Sequence, residues 1–152
     1  HGGTATVVVG DFAGIVSPAR RDTDHVGVDL ELRVGETVAP LRPDYEYALV
    51  VLDGAVRCES IVVEPGHLAY LGTDRSEIAL ETVAPARAML LGGVPFSEQL
   101  LMWWNFVART SQEIDGAYES WQDRDVRFGE VASRLDRISA PRPTWTSGQR
   151  ER

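Results

Sequence analysis

Few side chains in this 152-residue chain have the types and neighbours that chemistry needs, and each has an ordinary alternative. His67 could ligate a metal through imidazole, but an ion needs companion donors, and His1 and His25 are distant in sequence. It follows Pro65-Gly66 and precedes Leu-Ala-Tyr-Leu, so a turn position is expected. Asp44 and Glu46 have the i, i+2 spacing that puts two carboxylates on one face of a strand. Pro40 and Pro43 interrupt that stretch, and the expected role is a solvated loop rim. Cys58 stands in Ala-Val-Arg-Cys-Glu-Ser without a nearby histidine. A nucleophilic thiol needs a positioned base and a lowered pKa, so a small buried or half-buried side chain is the reading. No G-x-S-x-G occurs, and Leu91-Gly92-Gly93 leads into Val-Pro rather than a helix that could cradle phosphate.

The elements that would position these groups are mostly strands. Residues 4–9 (TATVVV) form a strand closed by Gly10, and 26–34 (VGVDLELRV) alternate apolar and polar residues with the period of a half-buried strand. Further apolar runs follow at 45–52, 55–63, 67–72, 76–83 and 86–91, separated by Asp53-Gly54, Pro65-Gly66, Gly72 to Asp74 and Pro85. Many short strands with evenly spaced turns predict a sandwich or barrel. One helix is predicted over about 111–125. Thr110 and Glu113 open it as a capping box, and Ile114, Ala117, Tyr118 and Trp121 make one apolar stripe. Residues 129–152 turn Arg-, Ser- and Pro-rich and are expected to lie loose or along a surface.

Between these parts lies LLGGVPFSEQLLMWWNFVARTSQEI, residues 90–114. Taken as one strand over 100–107, it has Leu101, Trp103, Asn105 and Val107 on one face and Leu100, Met102, Trp104 and Phe106 on the other. Both faces then need cover: either one face joins the barrel core and the helix stripe caps the other, or one face meets another domain, and the residues alone leave both readings open.

The bulk composition sets wide limits. The hydrophobic share of 43% and charged share of 25% are those of a globular protein. A net charge of −8 argues against a general nucleic-acid surface, and no apolar run is long enough to span a membrane. A single cysteine excludes an internal disulfide and fits a reducing compartment, so a cytoplasmic location is expected. The chain begins at His1 without methionine, which suggests a processed or truncated piece of something longer.

Two stretches carry a family resemblance. GETVAPLRPDYEYALVVLDGAV with VVEPGHLAYLG resembles a cupin barrel, and MWWNFV with the later RFG resembles the C-terminal half of the pirin family, two-cupin proteins of roughly twice this length. Metal-binding cupins carry G-x5-H-x-H-x3-E-x6-G with a further histidine one hairpin later. Laid from Gly35 to Gly54, the spacing fits, but the histidine positions are Leu41 and Pro43, the glutamate position is Tyr47, and the later histidine falls near Glu77. The resemblance therefore implies an all-β cupin barrel with one late α-helix and an extended C-terminal tail. Its domain would span 1–128, and its metal site would be degenerate.

The function that the resemblance implies is a structural or interaction role without catalytic residues or a cofactor in this chain. Iron is expected in the N-terminal half of pirin relatives. The partner would be that half, a second copy of the chain or another protein, with contacts through Trp103, Trp104, Phe106, Tyr118 and Trp121. Two alternatives remain open. The chain could be part of a metal-dependent quercetin (flavonol) dioxygenase, or a stand-alone binder with a candidate pocket lined by Tyr45, Tyr47, Leu49 and Val51.

Overall fold

The computed structural model describes residues 2–145. The chain divides into two compact units, His1–Pro95 and Phe96–Arg152.

In the first unit the strands are β1 (Thr4–Val9), β2 (Asp11–Phe12), β3 (Ile15–Val16), β4 (His25–Leu32), β5 (Gly35–Pro40), β6 (Glu46–Asp53), β7 (Val56–Cys58), β8 (Ile61–Val63), β9 (Leu68–Gly72), β10 (Glu77–Thr82) and β11 (Ala86–Gly93). They form a five-stranded sheet, β1-β4-β11-β6-β9, and a four-stranded sheet, β5-β10-β7-β8, with a short β2-β3 hairpin. All the pairings are antiparallel. Val28, Leu30, Leu49, Val51 and Leu90 of the first sheet share one core with Val56, Cys58, Val63, Ile78 and Leu80 of the second. The alternation predicted for 26–34 is realised in β4, where Val26, Val28, Leu30 and Leu32 are buried. The two sheets share no hydrogen-bonded strand pair, so the expected barrel is an all-β cupin-like sandwich rather than a closed cylinder.

Two predicted elements differ in detail. The run 55–63 is not one strand but the β7-β8 hairpin, turned at Glu59 with φ of 53°. Gly35–Pro40, missed as a strand because its apolar residues are few, pairs along its whole length with β10.

The second unit corrects the reading of the aromatic segment. Residues 100–107 do not form one strand. Leu101–Trp103 (β12) and Phe106–Ala108 (β13) pair as a hairpin, and Trp104 takes the turn with φ of 52°. Part of the cover comes from within the unit, while Met102 and Val107 stay 75% and 58% exposed. Helix α1 (Ser111–Gln122) buries Ile114 and Ala117 in a core with Phe106 and Ala140, against which Trp103, Trp104, Tyr118, Trp121 and Phe128 pack. The helix is shorter than expected. Asp123 caps it, Arg124 turns to φ of 58°, and a 3-10 turn follows at Val126–Phe128. At its start, Thr110 Oγ1 accepts from the Glu113 amide at 3.2 Å, while the Glu113 carboxylate accepts from the Arg109 amide at 2.8 Å. The capping box thus reaches back one residue further than the sequence pattern implied.

The tail lies along this unit. The Trp121 indole donates to the Ile138 carbonyl at 2.9 Å, and Trp103 donates to that of Pro141 at 3.0 Å. The Arg137 guanidinium stacks 3.7 Å from the centre of the Trp121 ring. Residues 146–152 of the predicted tail lie outside the described residues.

Candidate functional site

The resemblance places the metal ligands of a cupin between the sheets, at Leu41, Pro43, Tyr47 and near Glu77 in this chain. Leu41, just beyond the end of β5, is buried in the sandwich core. Pro43 is exposed in the β5-β6 loop. Tyr47, inward on β6, is 3% exposed, and its hydroxyl accepts the Arg42 amide at 3.1 Å. Glu77 points outward at the start of β10, where the inward neighbour is Ile78. The position therefore presents a hydrocarbon, a buried phenol and a second hydrocarbon to the interior. Burial pushes the Tyr47 phenol up, away from the phenolate that a metal would need. This set does not fit iron or a similar ion, which calls for imidazole and carboxylate donors. Among the described residues no group of three or more His, Cys, Asp or Glu side chains is arranged to hold a metal.

The four candidate pocket residues are all inward and buried: Tyr45, Tyr47, Leu49 and Val51. Leu49 and Val51 belong to the continuous core of the sandwich, and the Tyr45 and Tyr47 rings are 5.8 Å apart and tilted. Tyr47 also lies over Gly92, its partner on β11. A Cβ built on Gly92 would come within 2.4 Å of the ring. The glycine is needed there for space, not for backbone freedom.

What the motif analysis missed is a polar clasp at this end of the sandwich. The Tyr45 hydroxyl donates to Asp24 at 2.5 Å and accepts from Arg42 at 3.0 Å. Arg42 also stacks 4.1 Å from the Tyr45 ring centre and pairs with Asp44 at 2.6 Å and Asp24 at 3.3 Å. Arg21 joins Asp24 to Asp11, at 3.2 and 3.0 Å. The clasp ties the β3-β4 loop to the β5-β6 loop that in other cupins carries ligands. The Tyr45 hydrogen bond, reinforced by the Arg42 and Arg21 charges, holds the Asp24 carboxyl below its usual range. Desolvation, with the bond to Asp24, pushes Tyr45 up to about 12. No periodic spacing announces this group; Arg42 with Asp44 and Tyr45, and Arg21 with Asp24, are local pairs, but Asp24 and Tyr45 are 21 residues apart.

The isolated candidates are placed simply. His67 is exposed beside the Pro65-Gly66 turn. Asp44 is held by Arg42, and Glu46 accepts the Tyr70 hydroxyl at 2.9 Å, so these two carboxylates serve different partners. Cys58 is a free, buried thiol, pushed up by burial and by the neighbouring Glu59 charge. The candidate interface residues belong to the second unit: Phe106 is buried, and Trp103, Trp104, Tyr118 and Trp121 are half-buried against its core.

Comparison with known proteins returns one consistent picture. A family model described as the pirin C-terminal cupin domain matches residues 27–129. A Pseudomonas aeruginosa protein that carries the provisional name quercetin 2,3-dioxygenase is 37% identical over 95% of this chain and 47% of its own length. A second protein of that organism with the same provisional name is 30% identical over 78% of this chain and 44% of its own. The crystal structure of a quercetin 2,3-dioxygenase from Acinetobacter baumannii superposes with a TM-score of 0.82 and 38% identity, covering 91% of this chain and 47% of that one. The chain thus spans about half the length of the relatives it matches. No helix among the described residues is long and apolar enough to cross a membrane.

Proposed function

Because this chain belongs to the pirin family, whose C-terminal cupin domain it carries over residues 27–129, we propose that it is a metal-free structural and interaction module. In the longer protein it packs against a metal-bearing N-terminal cupin. One observation carries the reading. The inward positions of the ligand register hold Leu41 and Tyr47, and the only polar atom among them already accepts the Arg42 amide. The interior around them is occupied by Leu49, Val51, Leu80 and Leu90, so the sandwich has the packed core of a structural domain. The half-buried indoles of the second unit suit a contact with the other half. A cytoplasmic setting agrees with the buried free thiol of Cys58.

The provisional names of the relatives favour a second reading, in which this chain is part of a flavonol dioxygenase. On that reading the oxygen chemistry belongs to the half of the relatives' length that lies outside this chain, and these residues act as scaffold. Quercetin consumption by this chain, with and without added iron and oxygen, tests the metal-free assignment on which both readings rest. The proposal expects no turnover above a free-metal blank. Metal-dependent turnover by the chain alone would overturn it.

A further inference from the structure

The tail meets the second unit through contacts that repeat every three residues. Trp121 of α1 donates its indole N–H to the Ile138 carbonyl at 2.9 Å, and Trp103 of β12 donates to the Pro141 carbonyl at 3.0 Å. The tail side chains that become buried are Ala140 and Pro143, again three apart. Three residues is the repeat of a polyproline II helix, and the sequence favours that backbone. Pro141 and Pro143 fix their own φ, and each pushes the residue before it into the extended region. Arginines are set over rings on either side, Arg137 at 3.7 Å from the centre of Trp121 and Arg142 at 5.5 Å from that of Tyr118. Helix α1 carries Glu113, Asp115 and Glu119 and no basic residue, so its charge suits a cationic segment. Between the 3-10 turn and this seat, residues 129–139 are exposed. Val131, Leu135 and Ile138 line a cavity of about 380 Å³ with Trp104, Trp121 and Phe128 instead of closing onto those rings. The end of the tail is thus a seated peptide on a loose tether.

We propose that this aromatic seat is a docking site for an extended, proline-containing, arginine-bearing segment of another protein, and that the chain's own tail is its resident competitor. The tail shows how such a segment is read. Indole N–H groups take backbone carbonyls, a guanidinium stacks on a ring, and two small or prolyl side chains enter the unit. A segment that is already extended loses little conformational freedom on docking, so a small seat can hold it. Carbonyls are common to every peptide, so selectivity rests on the buried side chains. Ala140 shares a core with Phe106, Ile114 and Ala117, where a charged or bulky residue does not fit. The tether sets the competition. A segment on a short flexible linker has an effective concentration in the mM range, so a free segment enters only by displacing the tail. A tether as long as 129–139 also reaches its own unit without strain, which disfavours exchange of tails between copies and leaves a different protein as the source. The site lies wholly in the second unit. It goes beyond the packing role proposed above and does not depend on the metal-free reading.

Titration of a labelled peptide of residues 137–145, RISAPRPTW, into the full chain tests the proposal by fluorescence anisotropy. Ala140→Glu and Pro143→Gly in the chain should each unseat the tail, and the unseated chains should bind the peptide at least about tenfold more tightly than the parent does. Trp121→Phe, added to either, should weaken that binding about three- to tenfold, the loss expected from one hydrogen bond. A scrambled peptide of the same composition, or one carrying Ala140→Glu, should not compete. Circular dichroism establishes that α1 is intact in each variant, and the two positions guard against a folding defect in one of them. Two folded variants that fail to bind the peptide would overturn the proposal. So would loss of the helix in both, which would make the tail a structural layer, or equal binding of the scrambled peptide. A parent chain that sediments as a dimer and becomes monomeric in Ala140→Glu would also overturn it, because the seat would then hold the tail of a second copy.

Discussion

Replacing Tyr47 by phenylalanine removes a single oxygen and keeps the ring that packs over Gly92, so no cavity opens. What changes is the Arg42 amide, which donates to that oxygen at 3.1 Å. The ring of the variant offers no acceptor, and Tyr47 is only 3% exposed, so water has poor access from the interior side. Leaving a buried donor without a partner costs about 1–3 kcal/mol. Arg42 itself is half-buried, which puts the expected loss in the lower part of that range. In a chain of this size each kcal/mol lowers Tm by about 2–4 °C. Urea unfolding followed by tryptophan fluorescence should therefore show a lower midpoint with an unchanged slope. An unchanged midpoint would refute the reasoning, because it would mean that the phenol does not satisfy that amide and is not committed to the loop.

Gly92→Ala should destabilise the protein, and Tyr47→Ala should relieve part of that loss in the double variant, since the added Cβ meets the Tyr47 ring at 2.4 Å; additive effects in the cycle would contradict the packing. Asp24 and Asp29 are held below the ordinary carboxyl range, Asp24 first by the Tyr45 hydrogen bond and Asp29 first by that from Arg87. Their contribution is thus full above the unfolded value of about 3.9 and is lost as pH falls through the lowered folded values. Urea midpoints at about pH 6 and about pH 3 should differ less in Tyr45→Phe than in the parent. Cys58 should react with a thiol reagent only on unfolding, because it is buried and its pKa is raised; rapid labelling of the folded chain would contradict this.

Much of the sandwich was legible because period-2 alternation and Gly or Pro turns are local signals. In β4 the residues named as inward are the buried ones. The aromatic segment was misread for a reason of the same kind. Apolar residues run from Leu100 to Val107 except Asn105, so no alternation marked a turn, and Trp104 reaches positive φ without a glycine to announce it. The ligand register was readable from spacing, and from it the poverty of donors. The clasp was not, because Asp24, Arg42 and Tyr45 meet only when two loops 21 residues apart come together.

The central claim is that this domain holds no iron, and elemental analysis after loading with ferrous iron and dialysis tests it most directly. The account predicts iron far below one equivalent per chain and a Tm unmoved by the metal. Near-stoichiometric iron that raises Tm, and that is lost in Tyr47→Phe, would contradict it.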